Sequence, residues 1–371
     1  MEQFELSALA IALEKECPMM CRYGAEVGSM VFKRARTVPA LYVFGDSLVD
    51  VGNNNYLPLT IVKANFPYNG IDFPSEEATG RFSNGKNAAD IIAGKLGLPT
   101  PLPYLSQTNN VFLKGASFAS GGAGVFNTTD EGLIKHTIPM AHQVEHFSTV
   151  CQRLVKELGS RAAVHEHLAK SLFLLVIGSN DIINHFKLGL YAASEDYTPQ
   201  QYVTLMVSTL KQQLKGIYDL GGRKFLVFGI APIGCAPRFR FEGVSNECNE
   251  QVNYWTTKYN EELTQMLALL QLELNEFRYL YFDAYGIFLD FIQRPESYGF
   301  IETKAACCGL GRLRARLPCT PLALVCSNRH ANLFWDVYHP TEAAALIFIE
   351  KLFGGSKDHV FSMNITQLIA I

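Results

Sequence analysis

Four well-separated places in the chain carry side chains that together suit acyl transfer. Ser47 lies just past Leu41-Tyr42-Val43-Phe44, an apolar β-branched and aromatic run that reads as a buried strand closed by Gly45. The apolar pattern of Leu48, Val49 and Val51 predicts a helix beyond it. A serine at that junction exposes its Oγ beside the free N–H groups of a helix mouth, where a nucleophile would sit. The same position also suits a simple helix cap. His339, in Asp336-Val337-Tyr338-His339, is the candidate base. A three-residue separation puts the Asp336 carboxylate and the imidazole on one side of a turn, so that one ring nitrogen is held and the other faces Ser47. Asn180 follows the buried run Leu172 to Ile177, and its amide can donate toward an oxyanion. The glycine-rich loop Gly121-Gly122-Ala123-Gly124 can aim backbone N–H groups at the same spot, and the Ser47 N–H adds another donor. Nucleophile, base, orienting carboxylate and oxyanion donors are the parts this chemistry requires.

Each residue also has a plainer role open to it. Asp336 and His339 suit a surface loop with a capping carboxylate, and Asn180 suits an Asx turn. Asp46, Asp50, Asn53 and Asp181 are read as structural, capping the turns that aim their neighbours. His136, His142, His146, His165, His167, His185, His330 and His359 have no carboxylate partner at comparable spacing and are expected to be solvated. The G-x-S-x-G elbow is absent around Ser47, and the chain order is serine first with Asp-x-x-His last. An imidazole with an ordinary pKa of ~6.5 must be neutral to accept the serine proton, so activity is expected to fall as the pH drops through that region.

The elements that would position these groups alternate along the chain. After the first strand, Asn53 to Gly85 is rich in Asn, Pro and Gly and reads as a long surface excursion. Helices are expected over Asn87 to Leu96, Pro139 to Leu158, Ser160 to Lys170, Pro199 to Leu220, Asn249 to Phe277 and Thr341 to Leu352. Strands are expected at Ser171 to Ile177, Lys224 to Ile230 and Tyr279 to Asp283. Apolar strands alternating with amphipathic helices imply α/β architecture with a mostly parallel sheet covered on both faces. In such sheets the ligand crevice lies at the carboxyl ends of the strands, which is where all the candidate loops fall.

The totals fit this picture. The chain has 371 residues, is 48% hydrophobic and carries a net charge of −3, which supplies a core but no nucleic-acid footprint. No apolar run reaches the roughly 18 residues that would span a bilayer. Residues 1–38 are read as an atypical, poorly ordered N-terminal leader and residues 39–371 as a single domain. Leu6 to Leu13 has the size of a signal-peptide core, but acidic Glu2 and Glu5 precede it. Nine cysteines include Cys307, Cys308, Cys319 and Cys326 clustered in one stretch, with Cys235 and Cys248 bracketing a loop. Paired C-x-x-C units and a nearby His pair are lacking, so disulfides fit better than zinc and imply an oxidising compartment. Cys17, Cys21 and Cys151 are left as incidental thiols. Two N-x-T sequons, at Asn127 and Asn364, are compatible with a secreted glycoprotein, with an intracellular location as the alternative.

The blocks FGDSLVDVGNNN, GRFSNGKNAADIIAGKLGLP, FASGGAG, IGSNDIIN, VFGIAPIGCAPR, ACCGLG and FWDVYHPTEA together resemble the plant GDSL-type esterases and lipases of the SGNH hydrolase superfamily. The resemblance covers roughly Pro39 to Phe361. It implies a flavodoxin-like three-layer α/β/α sandwich with no metal and no cofactor. It also implies Ser47 as nucleophile, His339 as base, Asp336 as its support, and Ser47, Asn180 and Gly124 as oxyanion donors, with Gly122 the less favoured register of the loop. Cys235 is expected to pair with Cys248, and Cys308, Cys319 and Cys326 to join structural bridges in which Cys307 could replace one partner. The implied activity is hydrolysis of acyl esters of lipids, small alcohols or phenolics by a monomer. The alternatives are an acyltransferase using the same acyl-enzyme and a catalytically degenerate binding protein. Arg312, Arg314 and Arg316 make Leu310 to Leu324 basic, either altering a lid or entrance or forming a solvated loop.

Overall fold

The computed structural model describes residues 38–106, 112–129, 136–186, 197–355 and 358–371. The expected leader, apart from Val38, lies outside these residues, as do Cys17 and Cys21. Strands β1 (Leu41–Gly45), β2 (Gly115–Ser117), β3 (Leu172–Val176), β4 (Lys224–Phe228) and β5 (Arg278–Phe282) run parallel, and the short edge strand Val360–Phe361 pairs antiparallel with β5. From that edge strand the order continues β5-β4-β3-β1-β2.

The expected strands are continuous apolar runs because both faces of the sheet are covered. Successive residues point to opposite faces. Tyr42, Phe44, Phe173, Leu175, Phe225 and Val227 therefore enter one core, with helices α2 (Met140–Leu158), α3 (Arg161–Lys170), α5 (Pro199–Asp219) and α7 (Glu250–Glu273). Leu41, Val43, Leu172, Leu174, Leu226 and Phe228 enter the other. There they meet α1 (Ala88–Lys95), α8 (Ala284–Gln293), α9 (Glu342–Phe353) and α10 (Ile365–Ala370). Each layer is thus written into alternate positions of the same five-residue strands. The remaining helices, α4 (Ser179–Phe186) and the short α6 (Pro237–Glu242), follow β3 and β4.

Local chemistry sets the helix starts. Asn87 caps α1 by accepting from Ala89 N and Asp90 N, while the Asp90 carboxylate accepts from Asn87 N. Thr198 and Gln201 do the same for α5, with Pro199 at its first position.

Two expectations are corrected. No α-helix follows Ser47: residues 46–49 form a turn, the Asp50 carboxylate then takes the N–H groups of Gly52 and Asn53, and the chain makes only the single 3₁₀ turn Asn53–Tyr56. The stretch from Asn53 to Gly85 is irregular but not merely a surface excursion, since Asn53, Asn54, Asn69, Arg81 and Asn84 are buried. These side chains replace regular hydrogen bonding. Asn53 Nδ2 donates to Ser117 O and Ala119 O, and Asn54 Nδ2 donates to Val62 O and Gly121 O. Arg81 forms a bidentate pair with Asp90 at 2.7 and 2.8 Å.

Among the described residues six cysteines form disulfides, Cys235–Cys248, Cys307–Cys326 and Cys308–Cys319, and Cys151 is free. Cys307 lies at the bend between the strands Glu302–Ala306 and Cys308–Gly309, and the two adjacent cysteines reach different partners. Among the described residues no cluster of His, Cys, Asp and Glu could hold a metal ion, and no helix is long and apolar enough to cross a membrane.

Candidate active site

Gly45 sets the geometry of the first loop. Its φ of +153° is one that L side chains rarely adopt, and a Cβ there would lie 2.2 Å from Val176 O. Asp46 N then donates to Val176 O, and the turn carries Ser47 over the carboxyl edge of the sheet. A residue not singled out from the sequence locks this bend. Gln143, fully buried on α2, accepts from Gly45 N and donates to Gly45 O, both at 2.8 Å. Its signal was present: Gln143 occupies the apolar stripe made by Met140, Phe147, Val150 and Leu154, where a polar residue needs a buried partner.

Asp336 and His339 lie on the loop between the short strand Asn332–Phe334 and α9. Asp336 Oδ1 accepts from the backbone N–H groups of Tyr338 and His339, both at 2.9 Å, which closes the turn. His339 Nδ1 lies 2.8 Å from both Asp336 oxygens, and Nε2 lies 2.7 Å from Ser47 Oγ. An ionised carboxylate only accepts, so Nδ1 carries the proton and Nε2 faces the hydroxyl as acceptor. The Phe82 ring packs against the imidazole, with centroids 5.1 Å apart.

Electrostatics follow the same pairing. Burial disfavours the charged His339, but the Asp336 charge and hydrogen bond, helped by the Asp46 charge, outweigh it and hold the imidazole above its ordinary pKa. Burial also disfavours charge on Asp336, yet His339 and two backbone donors keep that carboxyl below its usual range. Asp46 behaves differently. Burial pushes it up to about 7, its Oδ1 accepts from Leu48 N, and its buried Oδ2 has no hydrogen-bond partner in the structure.

Asn180 stands in the first turn of α4, and its Nδ2 donates to Ala123 O at 2.9 Å, leaving the second amide hydrogen for the cleft it lines. Gly122 also lines the cleft, with φ +83°, whereas Gly124 does not. Gly124, the favoured register, is packed against Thr129, and the less favoured Gly122 is the glycine of the loop on the cleft wall. Gly121 N donates to Asp50 Oδ2, and Val125 N and Phe126 N donate to the Asp181 carboxylate. These two buried aspartates pin the glycine loop at both ends, and Asp50 also caps its own turn as expected, through Gly52 N and Asn53 N. Burial pushes each up to about 6.

Other histidines depart from the solvated expectation. His185 stacks on Tyr202 at 3.7 Å, His146 stacks on Tyr104 at 4.5 Å, and His167 lies 3.4 Å from the Tyr42 hydroxyl. His359 faces Asp283 at 3.6 Å. Partial burial lowers the pKa of His146, His167 and His185. None of the four lines the cleft. Nor do Arg312, Arg314 or Arg316. Arg312 reaches the carbonyls of Phe241 and Gly243, and Arg314 reaches that of Cys307.

The cleft encloses about 310 Å³, and its largely apolar lining includes Ser47, Asn180 and His339. Sheet and cleft together define a three-layer α/β/α protein with a linked hydroxyl, imidazole and carboxylate at its carboxyl edge. Residues 41–352 match the sequence model of the GDSL-like lipase/acylhydrolase family. The chain is 47% identical to the GDSL esterase/lipase At5g55050 of Arabidopsis thaliana over 90% of each chain. It is 40% identical to the GDSL esterase/lipase At3g50400 of the same plant, over 90% of this chain and 91% of the relative. The protein belongs to the GDSL lipase/acylhydrolase family and is an ester-bond hydrolase of the SGNH fold.

Proposed function

We propose that the protein cleaves carboxylic esters of lipids or small alcohols through an acyl-enzyme on Ser47. His339 Nε2 takes the hydroxyl proton as Oγ attacks the ester carbonyl, and Asp336 stabilises the imidazolium that results. The oxyanion is met by the backbone N–H groups of Ser47 and Gly122 and by Asn180 Nδ2. Gly124 sits beside this loop as packing. Collapse of the tetrahedral adduct passes the proton from Nε2 to the leaving alkoxide. Water then attacks the acyl carbonyl as His339 takes its proton, and collapse of the second adduct returns that proton to Ser47 Oγ and releases the acid. The observation that carries this reading is the unbroken hydrogen-bonded line from Ser47 Oγ through the His339 ring to Asp336.

A fluorophosphonate probe tests it. The wild-type protein takes one label with loss of esterase activity, and Ser47→Ala takes none. A folded wild-type protein that stays unlabelled, or a Ser47→Ala variant that retains activity, refutes the assignment. The same reading treats residues 39–371 as one domain and places the folded enzyme in an oxidising, extracellular setting, supported by the three disulfides.

A further inference from the structure

The cleft is not equally wet along its length. Apart from the loops that carry Asp46 and Ser47 and Tyr338 and His339, its polar side chains, among them Ser83, Lys86, Asn180 and Asn184, come from residues 83–87 and from α4 after β3, whereas the lining residues that follow β4 and β5 carry none; Lys86 is exposed. Away from Ser47 it passes the carboxyl end of β3 at Val176, the end of β4 at Phe228, and Ala284, the first residue of α8 after β5. There its walls are Phe228, Ala284, Phe288, Phe334, Ala345 and Phe348, each no more than 8% exposed. Phe228, Phe288 and Phe348 pack edge to face as a floor. Backbone polar groups in this arm are already engaged. Gly229 N donates to Phe282 O, while Ile230 N and O are both held by the Asn260 amide.

We propose that this arm is an acyl-chain tunnel, matched to unbranched saturated chains of about ten to twelve carbons, with Ala284 and Ala345 setting its bore. This rests on the acyl-enzyme reading of Ser47. The acyl group stays bound while the alcohol leaves and water enters, so the enclosed arm suits the acyl part and the wetter mouth suits the alcohol. Length follows from the sheet order. Going from β1 past β3 and β4 to β5 crosses three strand intervals of about 4.8 Å, or roughly 14 Å in all. An extended alkyl chain with C–C bonds of about 1.5 Å advances about 1.25 Å per carbon, which gives the ten to twelve. A phenolic or hydroxylated acyl group would leave its hydroxyl without a partner among these walls, so hydroxycinnamoyl esters should be poorer substrates by about tenfold or more.

The test is a series of p-nitrophenyl esters from acetate to palmitate. Each methylene moved from water into the arm should raise kcat/KM by about fourfold, until a maximum near decanoate or laurate. Ala345→Phe should move that maximum to shorter chains and lower the laurate-to-butyrate ratio, while Phe348→Ala should move it the other way. A parallel series of acetate esters with lengthening alcohols should show a much weaker dependence. Fatty-acid binding to Ser47→Ala reads the arm without catalysis, with affinity rising to the same length. A flat or falling acyl series, a dependence that follows alcohol length instead, or fatty-acid affinity independent of length would overturn the tunnel. If all esters and the phosphonate fail while fatty acids still bind by length, the Ser47 reading is wrong and the tunnel stands.

Discussion

Asn180→Ala probes the most exposed part of the proposed chemistry. The amide nitrogen has two hydrogens, and one is committed to Ala123 O at 2.9 Å. The other is the only side-chain donor assigned to the oxyanion. Removing one such donor typically costs about 10²–10³ in kcat, or about 2.7–4 kcal/mol, with little effect on ground-state binding. A second loss comes with it, because Ala123 is fully buried and its carbonyl loses the Asn180 donor. That should lower stability by about 1–3 kcal/mol. It should also loosen Gly122, the neighbouring donor, so the kinetic loss should fall toward the upper end of the range. The assay is kcat and KM on p-nitrophenyl butyrate, with phosphonate labelling to count competent sites and thermal unfolding to confirm the fold. The expected outcome is a KM within about threefold of wild type and a kcat down about 10²–10³. A folded variant whose kcat stays within about threefold of wild type would remove Asn180 from the oxyanion site.

Three further outcomes follow from the same geometry. The acidic limb of kcat/KM should lie above the ordinary imidazole value, since His339 is held above it, and Asp46→Asn should move that limb to lower pH by removing one of the charges that raises it; an unmoved limb in a pH series would rule out the Asp46 contribution. Replacing both Cys307 and Cys326 by Ser opens a 19-residue separation and should cost about 3 kcal/mol in chemical denaturation, on the loop-entropy account. Asp90→Ala leaves the buried Arg81 guanidinium unpaired and removes the acidic half of the α1 capping box, which should destabilise by about 3–5 kcal/mol; a loss below about 1 kcal/mol would show that water reaches that pair.

The sequence by itself determined a good deal. The apolar runs at Leu41, Leu172, Lys224 and Tyr279, alternating with amphipathic helices, require a parallel sheet covered on both faces, because continuous apolar strands have no wet side. The spacing of Asp336 and His339 was enough to put them on one turn, since such a bond is local. The helix start at Asn87 was legible for the same reason.

What only the tertiary structure decided depends on groups far apart in the chain. The 2.7 Å contact between Ser47 and His339 spans 292 residues. Which glycine faces the cleft was settled by Thr129 packing against Gly124 and by Asp50 and Asp181 anchoring the loop. The turn after Ser47 looked helical because Leu48, Val49 and Val51 are apolar, but Asp50 took the backbone donors a helix would have needed. Gln143 showed only as a polar break in a stripe until its amide was seen to clamp Gly45. Periodicity records which face is buried; it does not record which buried polar group answers which, because those pairings are fixed by long-range closure of the fold.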